Sequence, residues 1–307
     1  MTTPAAARFQ FAGILCAAGG AMLFAGKGIL AKFAWRHGVG FEALVIVRAL
    51  LAAPLFWAFA FAREAPAAIC ATPARVAATA AFAGLLCYYG GALVDFYALT
   101  LIDASLERVL LFSYPAMVIA IDAAWRRRLP SARVVGVVTL TWAGIFLAVG
   151  GLDAAALRAN LTGALCVLLA ALSYAIYFLL GERCIRVIGS TRFTLCAMTG
   201  AAAALAVHGL AKGAALGLAG IDAVGWMLLA LLAVLCMFVP ALLQAEGVRR
   251  IGAQRSALVS TVGPPTTIVL AWLFFGERMA PSQLVGVVLI VGGIFVLDAA
   301  VTRRRER

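Results

Sequence analysis

Charged residues are scarce in this sequence: they make up 12% of the 307 residues, whereas hydrophobic residues make up 65%. An ordinary soluble domain is about 25% charged and roughly 45–50% apolar. The chain therefore has too few polar side chains to cover the surface of a water-soluble fold. Soluble, disordered, collagen-like and disulfide-stabilised proteins are excluded. The composition predicts an integral membrane protein that has the lipid bilayer as a partner.

Acidic residues are the scarcer of the two charged classes, with 13 Asp and Glu against 25 Lys and Arg, which gives a formal net charge of +12. In a soluble protein this excess would suggest nucleic acid as a partner. A nucleic-acid-binding protein needs a continuous basic face on a hydrated body, and this composition does not provide one. We therefore expect no nucleic-acid partner.

Residues suited to catalysis or metal binding are also few. The chain has two histidines, His37 and His208, and contains neither a GxSxG nor an HExxH motif. Its seven cysteines show no CxxC or other metal-ligand spacing, so we interpret them as small apolar packing residues. No metal, no cofactor and no enzymatic activity are expected. A membrane enzyme and a facilitative channel remain the alternatives from other classes, although no filter loop or ring of pore charges is evident.

Long apolar runs are what the sequence does contain. A membrane-spanning helix needs about 20 mostly apolar residues. Ten predicted spans, numbered 1 to 10, cover residues 11–33, 41–62, 75–100, 104–125, 132–151, 160–180, 192–211, 223–247, 254–275 and 281–300. The first apolar stretch, from Phe11 to Ala31, is too long for the core of a signal peptide, so we expect span 1 to be retained.

The basic residues lie mostly on one side of this arrangement. With ten spans, 17 Lys and Arg fall on the side of the N-terminus, 5 fall on the opposite side, and three lie within spans. Lys and Arg accumulate in cytoplasmic loops. The pattern predicts a multi-pass protein of a bacterial-type inner membrane, with both termini in the cytoplasm.

The two halves of the chain resemble each other at a nearly constant offset. The matches are Gly13-Ile14-Leu15-Cys16 with Gly163-Ala164-Leu165-Cys166 at 150, and Leu86-Cys87 with Leu235-Cys236, Pro115 with Pro264, and Gly144-Ile145-Phe146 with Gly293-Ile294-Phe295 at 149. Several matches in one register indicate an internal repeat. We predict two five-helix repeats, at residues 1–152 and 153–300, and a basic cytoplasmic tail at 301–307.

Each repeat holds five spans, and because five is odd the second copy must cross the membrane upside down relative to the first. Inverted-topology repeats are typical of secondary transporters, whose substrate site lies near the middle of the membrane between the halves. Weak points fall symmetrically: Pro115 and Pro264 lie in the middle of spans 4 and 9, and Gly90-Gly91 in span 3 corresponds to Val239-Pro240 in span 8. Proline kinks a helix. Such a kink can serve helix packing, or it can border a cavity and take part in its gating. The symmetric placement of these weak points favours the cavity.

Several short motifs follow a pattern shared by both halves. They are residues 104–108 with Pro115, residues 253–264 with Gly276-Glu277-Arg278, the Gly-rich closing spans 136–151 and 286–293, and Arg48 in span 2. On these motifs the chain resembles the EamA family of the drug/metabolite transporter superfamily over essentially its whole length. In the first repeat the turn corresponding to Gly276-Glu277-Arg278 is Arg127-Arg128-Leu129, which departs from the family pattern.

The resemblance implies a ten-helix inner-membrane exporter of small metabolites. Members similar to this chain, including the YddG-type proteins, export aromatic and other amino acids. We therefore expect a small-molecule substrate, most specifically an amino acid, and a monomer or weak homodimer. Exporters of other small metabolites or of drugs are the alternative within the family.

Aromatic residues near the middle of the central spans are the candidate substrate-binding residues. They are Phe24, Tyr88, Tyr89, Tyr114, Tyr174, Tyr177 and Phe238. A tyrosine at this depth must satisfy its hydroxyl, which favours a cavity or a partner helix over lipid. The alternative for each residue is ordinary helix packing. For these residues as a group, we favour a substrate-binding site.

Charged residues within the spans need a reason because each is costly in lipid. Lys27 and Arg48 are candidates to attract a substrate carboxylate or to form structural pairs. We favour the structural role for Arg48 and a cavity-facing position for Lys27. Asp95 and Glu107 are candidates for coupling or gating through a proton. We hypothesise that transport occurs by alternating access around a site lined by spans 1, 3, 4, 6, 8 and 9.

Overall fold

The computed structural model describes residues 4–125, 132–148, 153–289 and 292. Within these residues every regular element is helical and no strand occurs, which confirms the all-α prediction for the described part of the chain. Seven helical stretches there are long and apolar enough to cross a membrane. The segment Gly293-Ile294-Phe295, the turn Arg127-Arg128-Leu129 and the tail 301–307 lie outside the described residues.

The described spans are built from fourteen α-helices with short π and 3₁₀ segments between some of them. The α-helices are α1 (Pro4–Ala25), α2 (Lys27–Trp35), α3 (Phe41–Arg63), α4 (Pro66–Cys70), α5 (Ala74–Gly84), α6 (Ala92–Leu101), α7 (Ala104–Leu111), α8 (Tyr114–Trp125), α9 (Ala132–Ala148), α10 (Ala154–Lys212), α11 (Ala223–Ala233), α12 (Val239–Ile251), α13 (Ala253–Val259) and α14 (Gly263–Phe275). Residues 281–289 are also helical.

Helix α10 contains two predicted spans. It has 59 residues, which at about 1.5 Å per residue is roughly three times the ~30 Å hydrocarbon core of a bilayer. Gly189 has φ 77° and ψ 167° and so divides α10 into two helical arms. The division falls at the connection predicted between spans 6 and 7. A glycine suits this position because it adopts a positive φ without steric cost.

Spans 3 and 8 share an unusual feature. A π-helix at Leu85–Gly91 separates α5 from α6, and another at Val234–Phe238 separates α11 from α12. The two segments begin 149 residues apart, which is the offset of the predicted repeat. The expected weak point Gly90-Gly91 lies inside the first π-helix, and Val239-Pro240 directly follows the second. Such π segments occur frequently at functional sites.

Spans 4 and 9 are broken just before their prolines. Helix α7 ends at Leu111, four residues before Pro115, and a 3₁₀ segment begins at Ser260, four residues before Pro264. A proline ring clashes with the carbonyl of the residue four positions earlier and leaves it without its usual donor. The predicted breaks are therefore present, and each lies one turn on the N-terminal side of its proline.

The burial of side chains repeats with the same spacing. Residues 21–30 and 171–180 have the same order of buried, half-buried and exposed positions, residue by residue, and so do residues 87–96 and 236–245. The repeat therefore concerns which face of each helix points to the core. In this register Lys27 corresponds to Tyr177, and Asp95 corresponds to Gln244.

Helices α5 and α10 pack with their backbones in contact. A Cβ atom added at Gly84 would lie 1.9 Å from the carbonyl oxygen of Ala197. One turn further along α10, a Cβ atom added at Gly200 would lie 2.8 Å from the Cβ atom of Ala81. Small residues permit this close approach, which drives helix association where lipid removes the hydrophobic force.

We expect Gly84→Ala to separate α5 from α10 and to destabilise the protein by about 1–3 kcal/mol, as overpacking of a core does. The measurement is thermal unfolding in detergent, followed by the loss of the monodisperse peak in size-exclusion chromatography. Gly90→Ala is the matched control in the same span, because its Cβ would meet no atom closer than 3.8 Å. Equal melting temperatures for the two variants would contradict this packing.

Candidate functional site

Five charged side chains are buried together in the first half of the chain. Lys27 begins α2, Arg48 lies on α3, Asp95 on α6, and Glu107 and Arg108 on α7. None of the five is more than 3% exposed. Helix α7 carries two of them. All eight residues of α7 are buried, so span 4 is a central helix. Charges at this depth are costly and mark functional sites by default.

The ammonium group of Lys27 joins three helices. Its Nζ donates to Oδ2 of Asp95 in a short contact and to Oε1 of Glu107 at 3.1 Å. Each carboxylate keeps one oxygen that is enclosed without a hydrogen-bond partner among the described residues, Oδ1 of Asp95 and Oε2 of Glu107. The cluster therefore has unused acceptor capacity.

Arg108 points away from Glu107 and has a different partner. Its guanidinium donates to the backbone carbonyl of Phe24, which precedes the interruption of span 1 at Gly26. The carbonyls of the two residues that flank Phe24 are also hydrogen-bonded. The Leu23 carbonyl accepts from Sγ of Cys236 at 3.4 Å, and the Ala25 carbonyl accepts from Oγ1 of Thr267 at 3.0 Å. The end of α1 is thus bound by side chains from spans 4, 8 and 9.

Arg48 has no ion pair in the part of the chain that the structure describes. Its guanidinium lies over the ring of Phe96 at 4.4 Å, and the Lys27 ammonium lies over the same ring at 5.2 Å. Its Nε is enclosed without a hydrogen-bond partner. Of the two cations considered for the substrate carboxylate, Lys27 is therefore ion-paired, whereas Arg48 has no carboxylate partner among the described residues.

Four of the predicted aromatic residues form one cluster beside these charges. The rings of Tyr88 and Tyr177 meet edge to face at 5.3 Å, and Tyr114 lies 6.2 Å from Tyr174. Phe178 completes the cluster at 5.3 Å from Tyr114. Phe178 was not among the predicted residues, although its position four residues after Tyr174 places the two on one helix face.

The other predicted aromatic residues lie elsewhere. The ring of Tyr89 packs against His208 at 5.8 Å, and Phe238 packs against Phe56 at 5.0 Å. Phe24 meets the charge cluster through its backbone carbonyl. Neighbours on a helix point about 100° apart, so Tyr88 and Tyr89 cannot both face the cluster, and the sequence signal did not distinguish them.

A neutral network occupies the equivalent place in the second half. The Gln244 amide donates to the Ala17 carbonyl and to Oγ of Ser260, both at 3.1 Å, and accepts from Oγ of Ser256 at 3.4 Å. All three side chains are buried. Gln244 and Ser256 lie 149 residues after Asp95 and Glu107. The same positions are therefore ionic in one half and neutral in the other.

Glu277 closes one end of the molecule. Its carboxylate accepts from Lys32 at 2.8 Å and from the backbone N–H and hydroxyl of Ser105 at 3.1 and 2.8 Å. Burial raises the pKa of Glu277, but the bonds from Lys32 and Ser105 outweigh it and the pKa is lowered overall. The pair borders a cavity of about 670 Å³ that is also lined by Trp35 and Phe275.

A different set of contacts closes the opposite end. Gln254 at the start of α13 donates to Asp122 on α8 at 3.0 Å, and Ser190 donates to Glu246 at 2.9 Å. Arg249 and Arg250 also bond to Glu246. Of these contacts, the bond from Gln254 to Asp122 joins the two halves of the chain, whereas the bonds to Glu246 lie within the second half.

We expect Glu277→Gln to lower the melting temperature at pH 7. The lowered pKa means that the carboxylate contributes stability above its usual pKa of about 4.3 and loses it as the pH falls through the folded value. The melting temperatures of the variant and the wild type should therefore converge as the pH falls below the usual pKa of a glutamate and through the lowered folded value. The measurement is thermal unfolding in detergent across pH.

Glu42→Gln is the control for this prediction. The Glu42 pair with Lys212, at 2.9 Å, is more exposed than the Glu277 pair, and exposed pairs contribute little. A difference between wild type and Glu277→Gln that stays constant with pH would mean that the ionised carboxylate is not the stabilising group.

Sequence and structure comparisons place this arrangement among known proteins. The sequence profile of the EamA-like transporter family matches the chain twice, at residues 11–150 and 161–297. A protein of Bacillus subtilis (strain 168) named "Uncharacterized transporter YcbK" is 34% identical over 289 residues, which cover 93% of this chain and 91% of that protein. A solved crystal structure covers 100% of both chains with a TM-score of 0.63 and 18% identity, so the fold has been observed experimentally.

Proposed function

Because the chain belongs to the EamA-like transporter family, we propose that it is a secondary transporter that exports amino acids by alternating access. Membership of the family and similarity to a transporter support transport across a membrane. The observation that carries the substrate class is the buried cluster of both charge signs beside five aromatic rings. An amino acid presents both charges and a side chain that can pack on aromatic rings.

The proposed architecture is ten spans in two inverted repeats, 1–152 and 153–300. Three observations support it: the family profile matches twice, the two π-helices begin 149 residues apart, and the burial pattern repeats in the same register. Gly189 divides α10 into two spans. Helix α9 and the helical residues 281–289 correspond to spans 5 and 10.

The ion pairs between distant segments agree with this topology. Lys32 with Glu277, His37 with Asp222, and Lys212 with Glu42 each join residues that ten spans place outside the cell. Arg192 with Glu64 joins residues placed inside. An odd number of additional or missing spans between partners would separate them by the membrane. The proposal also includes an inner membrane with both termini in the cytoplasm, and the excess of basic residues on that side supports this orientation.

Four residues are proposed to act in coupling and gating. Asp95 and Glu107 share the ammonium of Lys27 in a site shielded from water. One of these two carboxylates is proposed to bind a proton during the transport cycle. Pro115 and Pro264 each follow a helix break, and these breaks are proposed as the hinges at which spans 4 and 9 bend. The neutral residues Gln244 and Ser256 restrict the proton site to the first half.

The substrate class is tested by counterflow in proteoliposomes loaded with unlabelled amino acids. We expect a subset of radiolabelled amino acids, the aromatic ones foremost, to accumulate transiently against their gradient, because a carrier exchanges labelled for unlabelled substrate. Protein-free liposomes are the control. If correctly folded protein exchanges none of the amino acids, the substrate class is wrong. Flux that shows no counterflow would instead indicate a channel.

Coupling is tested with Glu107→Gln and Asp95→Asn under an imposed pH gradient. We expect wild-type flux to respond to the gradient. A variant that retains counterflow, even at a reduced rate, should have lost that response, because an amide cannot release a proton. Glu42→Gln is the control, since its carboxylate pairs with Lys212 and is more exposed than those of the cluster. Wild-type flux that is independent of the pH gradient would exclude proton coupling.

A further inference from the structure

We infer that Arg48 is the receptor for the carboxylate of the substrate, an inference that rests on the proposed transport of amino acids. It assigns to one side chain the role of selecting ligands with a carboxylate over the corresponding amines. Four observations lead to it: the charge balance of the cluster, the bonding of each cation, the surroundings of Arg48, and the free oxygens of Asp95 and Glu107.

The buried cluster has more positive than negative charge. Lys27, Arg48 and Arg108 face two carboxylates, those of Asp95 and Glu107, and all five side chains are at most 3% exposed. With every group ionised, one positive charge has no counter-charge among the described residues of the cluster. An uncompensated charge in a low-dielectric interior is costly. A ligand that brings one negative charge would balance the cluster.

Arg48 is the cation that is available to such a ligand. Lys27 is bound by two carboxylates. Arg108 also lacks an ion pair among the described residues and has an Nε without a partner, but its guanidinium already donates to the Phe24 carbonyl. Arg48 has no ion pair in the described part of the chain, and its Nε has no hydrogen-bond partner. A guanidinium carries five N–H donors in a planar fork that matches the two oxygens of a carboxylate.

The surroundings hold Arg48 in place without occupying its donors. The guanidinium lies over the Phe96 ring, 4.4 Å from its centroid, in a cation–π contact that needs no hydrogen bond. Tyr88, Tyr174 and Asp95 lie within electrostatic range of the guanidinium. Arg48 belongs to α3 and Tyr174 to α10, so a carboxylate bound here would contact both halves of the chain, as a substrate of an alternating-access transporter must.

The rest of an amino acid also finds partners in the cluster. Oδ1 of Asp95 and Oε2 of Glu107 are enclosed acceptors without a hydrogen-bond donor among the described residues, and an ammonium supplies three N–H donors. The rings of Tyr88, Tyr114, Tyr174 and Tyr177 provide an apolar surface for a side chain. The cluster is therefore complementary to an α-amino acid and mismatched to an amine that lacks the carboxylate.

The test compares three probes of one shape on the purified protein: L-phenylalanine, 2-phenylethylamine, which lacks the carboxylate, and 3-phenylpropanoate, which lacks the ammonium. Affinity is measured by scintillation proximity with labelled L-phenylalanine and by competition with the other two. We expect wild type to prefer L-phenylalanine over 2-phenylethylamine, and Arg48→Gln to lose about 10- to 100-fold in affinity for L-phenylalanine. Affinity for 2-phenylethylamine should change little.

Two further variants separate binding from folding. Arg48→Lys keeps the charge but not the planar fork and should fall between wild type and Arg48→Gln. Arg63→Gln, an exposed arginine on the same helix, should bind all three probes as wild type does. If neither Arg48 variant folds, the wild-type comparison decides, because equal affinity for L-phenylalanine and 2-phenylethylamine would overturn the inference.

Failure of this inference can be told apart from failure of the proposed function. An Arg48→Gln variant that transports amino acids and still discriminates against the amine would overturn the role of Arg48 and leave amino-acid transport intact. A wild type that shows no counterflow with any amino acid would overturn both.

Discussion

The contact on which the first half of the molecule depends is the ammonium of Lys27, shared by the carboxylates of Asp95 and Glu107. Separating any member would leave a charge in a low-dielectric interior, at a cost that exceeds most other single contacts in a helical bundle. Spans 1, 3 and 4 are therefore fixed relative to each other. The interruption at Gly26 belongs to the same arrangement, since the carbonyl of Phe24 before it accepts from Arg108.

In the second half, uncharged residues occupy the positions that correspond to this cluster. Tyr177, Gln244 and Ser256 stand at the positions of Lys27, Asp95 and Glu107, and the Gln244 amide bonds to Ser260 and to the backbone of span 1. A neutral network can be exchanged for water or for other hydrogen bonds at much lower cost than an ion pair. The two halves thus share a backbone pattern but differ in how strongly their helices are bound together.

Much of the fold could be predicted from the sequence because its causes are local. The long apolar runs predicted helices that could cross a membrane, and Pro115 and Pro264 predicted the breaks before them. The partners of the buried charges could not be predicted in this way, because they depend on how each helix is rotated about its axis. Lys27 and Arg48 both lie over Phe96, yet Lys27 is the one that reaches the carboxylates.

The same limit applies to the aromatic residues. Tyr88 and Tyr89 are equivalent in composition and depth, and the π-helix that contains both decides which of them meets Tyr177. An insertion of one residue per turn rotates everything that follows by about 100°. A sequence pattern based on 3.6 residues per turn therefore does not predict which face the residues after such a segment occupy. Within the segment itself, Tyr88 meets Tyr177 while Tyr89 faces His208.

The position of the π-helices bears on how the halves could move. Each lies in the middle of a span, directly before the residues that carry the polar groups, Asp95 in one half and Gln244 in the other. A π segment can shift between registers with small changes in backbone angles, because its hydrogen bonds are already displaced from the α pattern. A ligand bound between Arg48 of the first half and Tyr174 of the second would bias such a shift only if it contacted the two arrangements unequally. A carboxylate meets that condition better than an apolar group does, because its interaction with a guanidinium falls steeply once the planar match is lost.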